Sequence, residues 1–124
     1  MELKLLGVRN QGDASQEYLI IKVLKDCNLN KFMVCDQTFG SDGSASNKHR
    51  HVHFFPSFEV SEGDYVWLNT RQGSYYKGLT QDGSRGHAFF WGLNSSVWNE
   101  SGDRAHLVKI SGVEFLDVPA VKKA

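Results

Sequence analysis

Cysteine is scarce in this chain, an excess of charge of either sign is absent, and no long apolar run occurs. Of 124 residues only Cys27 and Cys35 are cysteines, and they do not form a CxxC pair. That is too few for a disulfide scaffold. Their eight-residue spacing allows paired strands of one hairpin, and both are expected to be reduced, partly buried thiols. Fourteen basic side chains balance fourteen acidic ones, which argues against a strongly basic nucleic-acid binder and against a polybasic membrane-surface protein. No apolar stretch approaches the roughly 18–20 residues a membrane helix requires. The N-terminal MELKLLGVRNQGD lacks the apolar region, about 7–15 residues long, of a secretory signal. With Met1 as the native start, a cytoplasmic location follows as an expectation. Helix signals are also missing, because alanine is sparse and apolar residues recur only in short runs.

What the chain does contain is 40% hydrophobic residues, 12% aromatics and twelve glycines. This is an ordinary globular composition, at a length that suits one domain, 1–124. Runs of β-branched and aromatic residues alternate with Gly, Asn, Asp and Ser punctuation. They predict strands at Glu2–Val8, Glu17–Lys25, Lys31–Thr38, Arg50–Phe55, Asp64–Thr70, His87–Trp91, Arg104–Ile110 and Val113–Val118, with a short one at Tyr75–Lys77. Short strands at this spacing indicate an all-β sandwich or barrel. In Glu17–Lys25, Leu19, Ile21 and Val23 share one face while Ile20 and Leu24 lie on the other, so the strand is central. In Asp64–Thr70, Val66 and Leu68 oppose Tyr65, Trp67 and Asn69, which places large aromatics on the second face. The polar stretch Gly40–Lys48 and the turn Gln81–Gly86 are expected as exposed loops.

Two segments carry a resemblance. Phe55-Pro56-Ser57-Phe58-Glu59-Val60 leads into Gly63-Asp64-Tyr65-Val66, and Trp98-Asn99-Glu100-Ser101-Gly102-Asp103 leads into Arg104-Ala105-His106-Leu107. In this order, after Glu17–Ile21 and Asn28–Asp36, the chain resembles the lamin tail domain family from about Gly7 to Val118. The resemblance implies an immunoglobulin-like β-sandwich of about eight to nine strands and a protein- or chromatin-binding module. The residues of the second segment have a structural reading of their own. Trp98 is an inter-sheet anchor, Asn99 and Gly102 suit a turn, and Asp103 can cap amides where the next strand begins.

Signals for chemistry are few. His49, His51 and His53 form an HxHxH run that shares one face of a strand. Two of them could meet a metal ion if His87 or His106 completed the set, but no HExxH or Cys/His spacing supports it. The competing expectation is that Val52 and Phe54 pack inward and the histidines coat the outer face. There is no GxSxG elbow, GxGxxG loop or P-loop. Arg71, Lys77 and Arg85 lie among Tyr75, Tyr76, Phe89, Phe90 and Trp91, a faint basic-aromatic mixture of the kind that holds single-stranded nucleic acid. An exposed Trp or Tyr could instead stack on carbohydrate. The expected function is a non-catalytic interaction module with a protein partner, no cofactor and no membrane. Its contact patch is placed at Lys48, Arg50, His51, His53, Arg85 and His87, a mildly positive and pH-sensitive cluster. A nucleic-acid binder and a metal-dependent enzyme built on the histidine run are the alternatives.

Overall fold

The computed structural model describes residues 1–37, 51–98 and 103–121. Among these, ten strands form: β1 (Leu3–Arg9), β2 (Tyr18–Val23), β3 (Cys27–Asn28), β4 (Phe32–Gln37), β5 (Val52–Phe54), β6 (Glu59–Val60), β7 (Tyr65–Asn69), β8 (Tyr76–Leu79), β9 (Arg85–Phe90) and β10 (Arg104–Lys109). A single 3-10 turn, Leu29–Lys31, precedes β4. Five strands make one sheet in the order β1-β2-β7-β9-β8, and three make a second in the order β10-β4-β5. β3 and β6 form a two-stranded ladder beside them. The chain is an all-β sandwich.

The core follows from period-two alternation. Leu19, Ile21 and Val23 of β2 and Val66 and Leu68 of β7 are buried on one side of the larger sheet, and Phe32 and Val34 of β4 meet them from the smaller one. β2 lies between β1 and β7, as its two apolar faces require. β1 keeps the alternation only by means of a bulge between Leu5 and Gly7. The extra residue lets Leu3, Leu5 and Val8 all pack on the core despite their uneven spacing. Trp98 is buried in the same cluster, as expected of an anchor.

A second organising group was not visible in the pattern. Glu17 is fully buried, and its carboxylate accepts from Gly12 N at 3.1 Å, Thr70 Oγ1 at 2.5 Å, Val97 N at 2.8 Å and Trp98 N at 3.3 Å. It therefore ties the β1–β2 turn, the end of β7 and the Val97–Trp98 segment together, and fixes Trp98 in the core.

Three expectations need correction. Val52 and Phe54 face outward, 43% and 63% exposed, while His53 faces inward. β5 pairs with β4 so that His53 lies opposite the buried Val34 and Val52 opposite Cys35, and this phase is the reverse of the one hydrophobicity suggests. Val113–Val118 forms no strand; Val113, Phe115, Leu116 and Val118 are 64–87% exposed, with no sheet partner among the described residues. Cys27 and Cys35 do not share a hairpin. Both are free, on strands of different sheets, and burial raises both thiols above their ordinary pKa.

Candidate functional site

The outer face of the five-stranded sheet carries an aromatic groove. The residues pointing outward from β7 are Tyr65, Trp67 and Asn69, because Val66 and Leu68 must point inward. Trp67 lies opposite Ile20 of β2 and Ala88 of β9, and Ala88 in turn lies opposite Tyr76 of β8. The neighbouring row contains Tyr65, Gly86 and Gly78. These small residues decide where the indole goes. A Cβ at Gly86 would come 2.0 Å from the Trp67 six-membered ring, and one at Gly78 3.3 Å from it. The indole therefore lies down across two glycines, an arrangement any other residue at position 86 would obstruct.

Beside this ring a groove of about 400 Å³ opens. Tyr18, Trp67, Tyr76 and Leu79 supply its rings and apolar wall, and Asn69, Thr80 and Gln81 its polar groups. None of the described lining residues is charged. Two cations, one on β2 and one just after β7, are held at aromatic faces: the Lys22 ammonium lies 5.2 Å from the Tyr65 ring centre, and the Arg71 guanidinium 4.9 Å from that of Phe90. Lys77, which follows Tyr76, and Arg85, opposite Leu79, are outside the lining. Leu79 and Tyr76 are 70% and 49% exposed, so the rim is apolar and open to solvent.

His53 and His87 face the interior. His87 Nε2 is 2.9 Å from Asp64 Oδ2 and its Nδ1 is 2.8 Å from the Tyr75 hydroxyl. An ionised Asp64 can only accept, so the neutral ring carries its proton on Nε2 and accepts from Tyr75 at Nδ1. Arg85 Nε donates to the other Asp64 oxygen at 3.2 Å. Burial pushes the Asp64 carboxyl up, but the His87 bond, the Ser61 amide and the Arg85 charge outweigh it and hold it below the usual carboxylate range. Burial, reinforced by the Asp64 charge, raises the Tyr75 hydroxyl. Carboxylate, imidazole and hydroxyl thus stand in hydrogen-bonded sequence, yet the hydroxyl is made less acidic and Phe58 and Phe89 close around Tyr75. The row works as a polar clasp between the start of β7, β9 and the segment before β8, buried at Asp64 and His87 and open to solvent at Tyr75.

His51 is bound twice to the buried Asp36, through its backbone N at 2.8 Å and Nδ1 at 3.2 Å. His53 packs edge-on to Phe55, with ring centres 4.8 Å apart, and lies 5.7 Å from Trp91. Burial lowers its pKa to about 4. His106 lies on β10, where Gln37 Oε1 is 3.0 Å from its Nε2. Among the described residues, no three His, Cys, Asp or Glu side chains are arranged to hold a metal ion.

Comparison with protein-family models, curated proteins and solved structures returned no match.

The expected positive patch is therefore divided. Arg85 is half-exposed but engaged with Asp64, and His53 and His87 face the core. His51 is half-buried against Asp36. Lys48, His49 and Arg50 lie outside the described residues, as do Asn99 and Gly102 of the Trp98 segment. Asp103 accepts from Arg104 N at 2.8 Å, at the start of β10. The groove residues carried one sequence signal, the aromatic second face of Asp64–Thr70. The glycine floor that makes Trp67 lie flat had none, because Gly78 and Gly86 meet it only through β9 and β8.

Proposed function

We propose that this chain is a non-catalytic recognition module that binds a neutral carbohydrate chain in the outer-face groove. The carrying observation is Trp67 laid across Gly86 and Gly78 beside Tyr18 and Tyr76. A sugar ring presents a flat face of C–H groups with hydroxyls at its edge. An indole supported from below offers the matching apolar plane, and Asn69, Thr80 and Gln81 offer donors and acceptors at its border. The lack of charge in the lining favours an uncharged ligand over a phosphate backbone or an acidic peptide, either of which requires cations in the groove. The volume, about 400 Å³, suits a short stretch of chain. The resemblance to the lamin tail domain implies a binding role of the same general kind, with protein rather than glycan as partner.

Affinity electrophoresis in gels containing neutral β-glucan, xylan or mannan tests the reading, backed by calorimetry with the matching oligosaccharides. Retardation by at least one polymer, weakened about tenfold or more in Trp67→Ala and in Tyr76→Ala, is expected. Equal mobility of wild type and Trp67→Ala in every polymer would overturn it.

A further inference from the structure

Val113–Val118 has the composition of a strand and no partner, while β10 ends four residues earlier and has β4 on one side only among the described residues. The two segments are complementary in a single register. If Ile110 faces Val113, then Lys109 faces Glu114, Val108 faces Phe115, Leu107 faces Leu116, His106 faces Asp117 and Ala105 faces Val118. Apolar residues meet apolar ones and both acids meet basic groups, the pairings that stabilise antiparallel strands. The lengths match as well, since β10 spans six residues, Arg104–Lys109, and Val113–Val118 is six long.

The alternation also fits the sandwich. Ala105 and Leu107 face inward and are only partly buried against the core; Leu116 and Val118 would cover them. Lys109 already bonds Glu2 at 2.9 and 3.0 Å, so Glu114 would be a second carboxylate at the same ammonium.

The chain does not make this pairing with itself. A two-residue hairpin at Ser111-Gly112 needs a left-handed residue in the turn, and Gly112 is not among the glycines with positive φ. Residues 110–121 form neither helix nor strand, and Phe115 and Leu116 are 86% and 87% exposed. The segment is therefore not folded back on its own β10 and is available to the β10 of another molecule. We infer that Val113–Val118 is a strand exchanged between two copies of this chain, each pairing antiparallel with the other's β10. Exchange through one hinge gives a closed two-fold dimer in which both edges are covered.

Light scattering coupled to gel filtration, with hydrogen exchange on the same samples, decides it. The expected result is a dimer whose 114–118 amides are protected, and whose mass falls by half in Leu116→Asp and in a chain ended at Gly112. Leu116 is exposed, so neither change disturbs the sandwich, and an unaltered thermal transition in dilute solution checks that. A monomer with protected 114–118 amides means that the hairpin closes within one chain, and overturns the inference. So does a monomer with unprotected amides, and so does a dimer that Leu116→Asp leaves intact.

Discussion

A methyl group at Gly86 is the smallest change that separates the groove from the rest of the molecule. Gly86→Ala must tilt the Trp67 indole off the sheet while leaving Tyr18, Tyr76 and the core in place. Carbohydrate retardation should drop about as far as in Trp67→Ala, with the tryptophan emission shifted toward that of a solvated ring. His53 provides a second test at the level of one side chain. Its folded pKa of about 4 lies below the ordinary 6.5, so the unfolded chain binds this proton more readily. The contribution is intact above the unfolded value and is lost as pH falls from about 6.5 toward 4, at most about 3 kcal/mol from a shift of this size, and less because the residue is only partly buried. The lowered Asp64 carboxyl acts in the same direction at lower pH: its contribution is present above the unfolded carboxylate value and is lost as pH falls through the folded one. Urea melts at pH 7 and pH 5 should show His53→Leu losing less stability over that interval than wild type. An equal loss in both would mean that His53 does not titrate across this range.

Between elements, the strongest dependence falls on Glu17. Its two oxygens take four donors from three parts of the chain. Glu17→Ala leaves the Val97 and Trp98 amides buried and unpaired, at a cost of about 3–5 kcal/mol, since each orphaned buried donor costs roughly 1–3. Glu17→Gln keeps one acceptor oxygen and should cost less. Trp98→Ala should match Glu17→Ala, by cavity formation of about 3–5 kcal/mol. Trp98→Phe should be much milder, because the buried Trp98 Nε1 has no hydrogen-bond partner among the described residues and the substitution removes an unsatisfied donor. Chemical denaturation of the four variants orders them. This contrast also shows what alternation can and cannot reveal. β2 and β7 were legible because Leu19, Ile21, Val66 and Leu68 are apolar on the face they bury. β5 was not, because its inward residue is His53 and its outward ones are Val52 and Phe54, so hydrophobicity pointed to the wrong side. Glu17 looked like a strand-opening polar residue, since no local rule marks a carboxylate whose partners are Thr70, Val97 and Trp98, 53 to 81 positions away. The clasp of Asp64, His87 and Tyr75 was hidden for the same reason.

For the molecule as a whole, electrical neutrality and the uncharged groove lead to one prediction that separates the two kinds of surface considered. A patch built on Lys48, Arg50, Arg85 and protonated histidines would bind by long-range attraction, which salt suppresses. Raising ionic strength from about 0.1 to 1 M shortens the screening length from about 10 to 3 Å, and contacts to a nucleic-acid backbone then weaken by orders of magnitude. Stacking on Trp67 and hydrogen bonding to Asn69, Thr80 and Gln81 involve no net charge, and excluded salts strengthen apolar contact if they act at all. Carbohydrate retardation should therefore be unchanged or slightly greater in sodium sulfate. Between pH 8 and 6 it should also stay level, because no Asp, Glu, His, Lys or Arg is among the described lining residues. His87 is separated from the groove by the sheet itself, with its side chain on the inner face and Gly86 and Ala88 on the outer. Binding that declines steeply with sodium chloride, or that rises as histidines charge, would move the contact surface from the Trp67 groove to the basic patch.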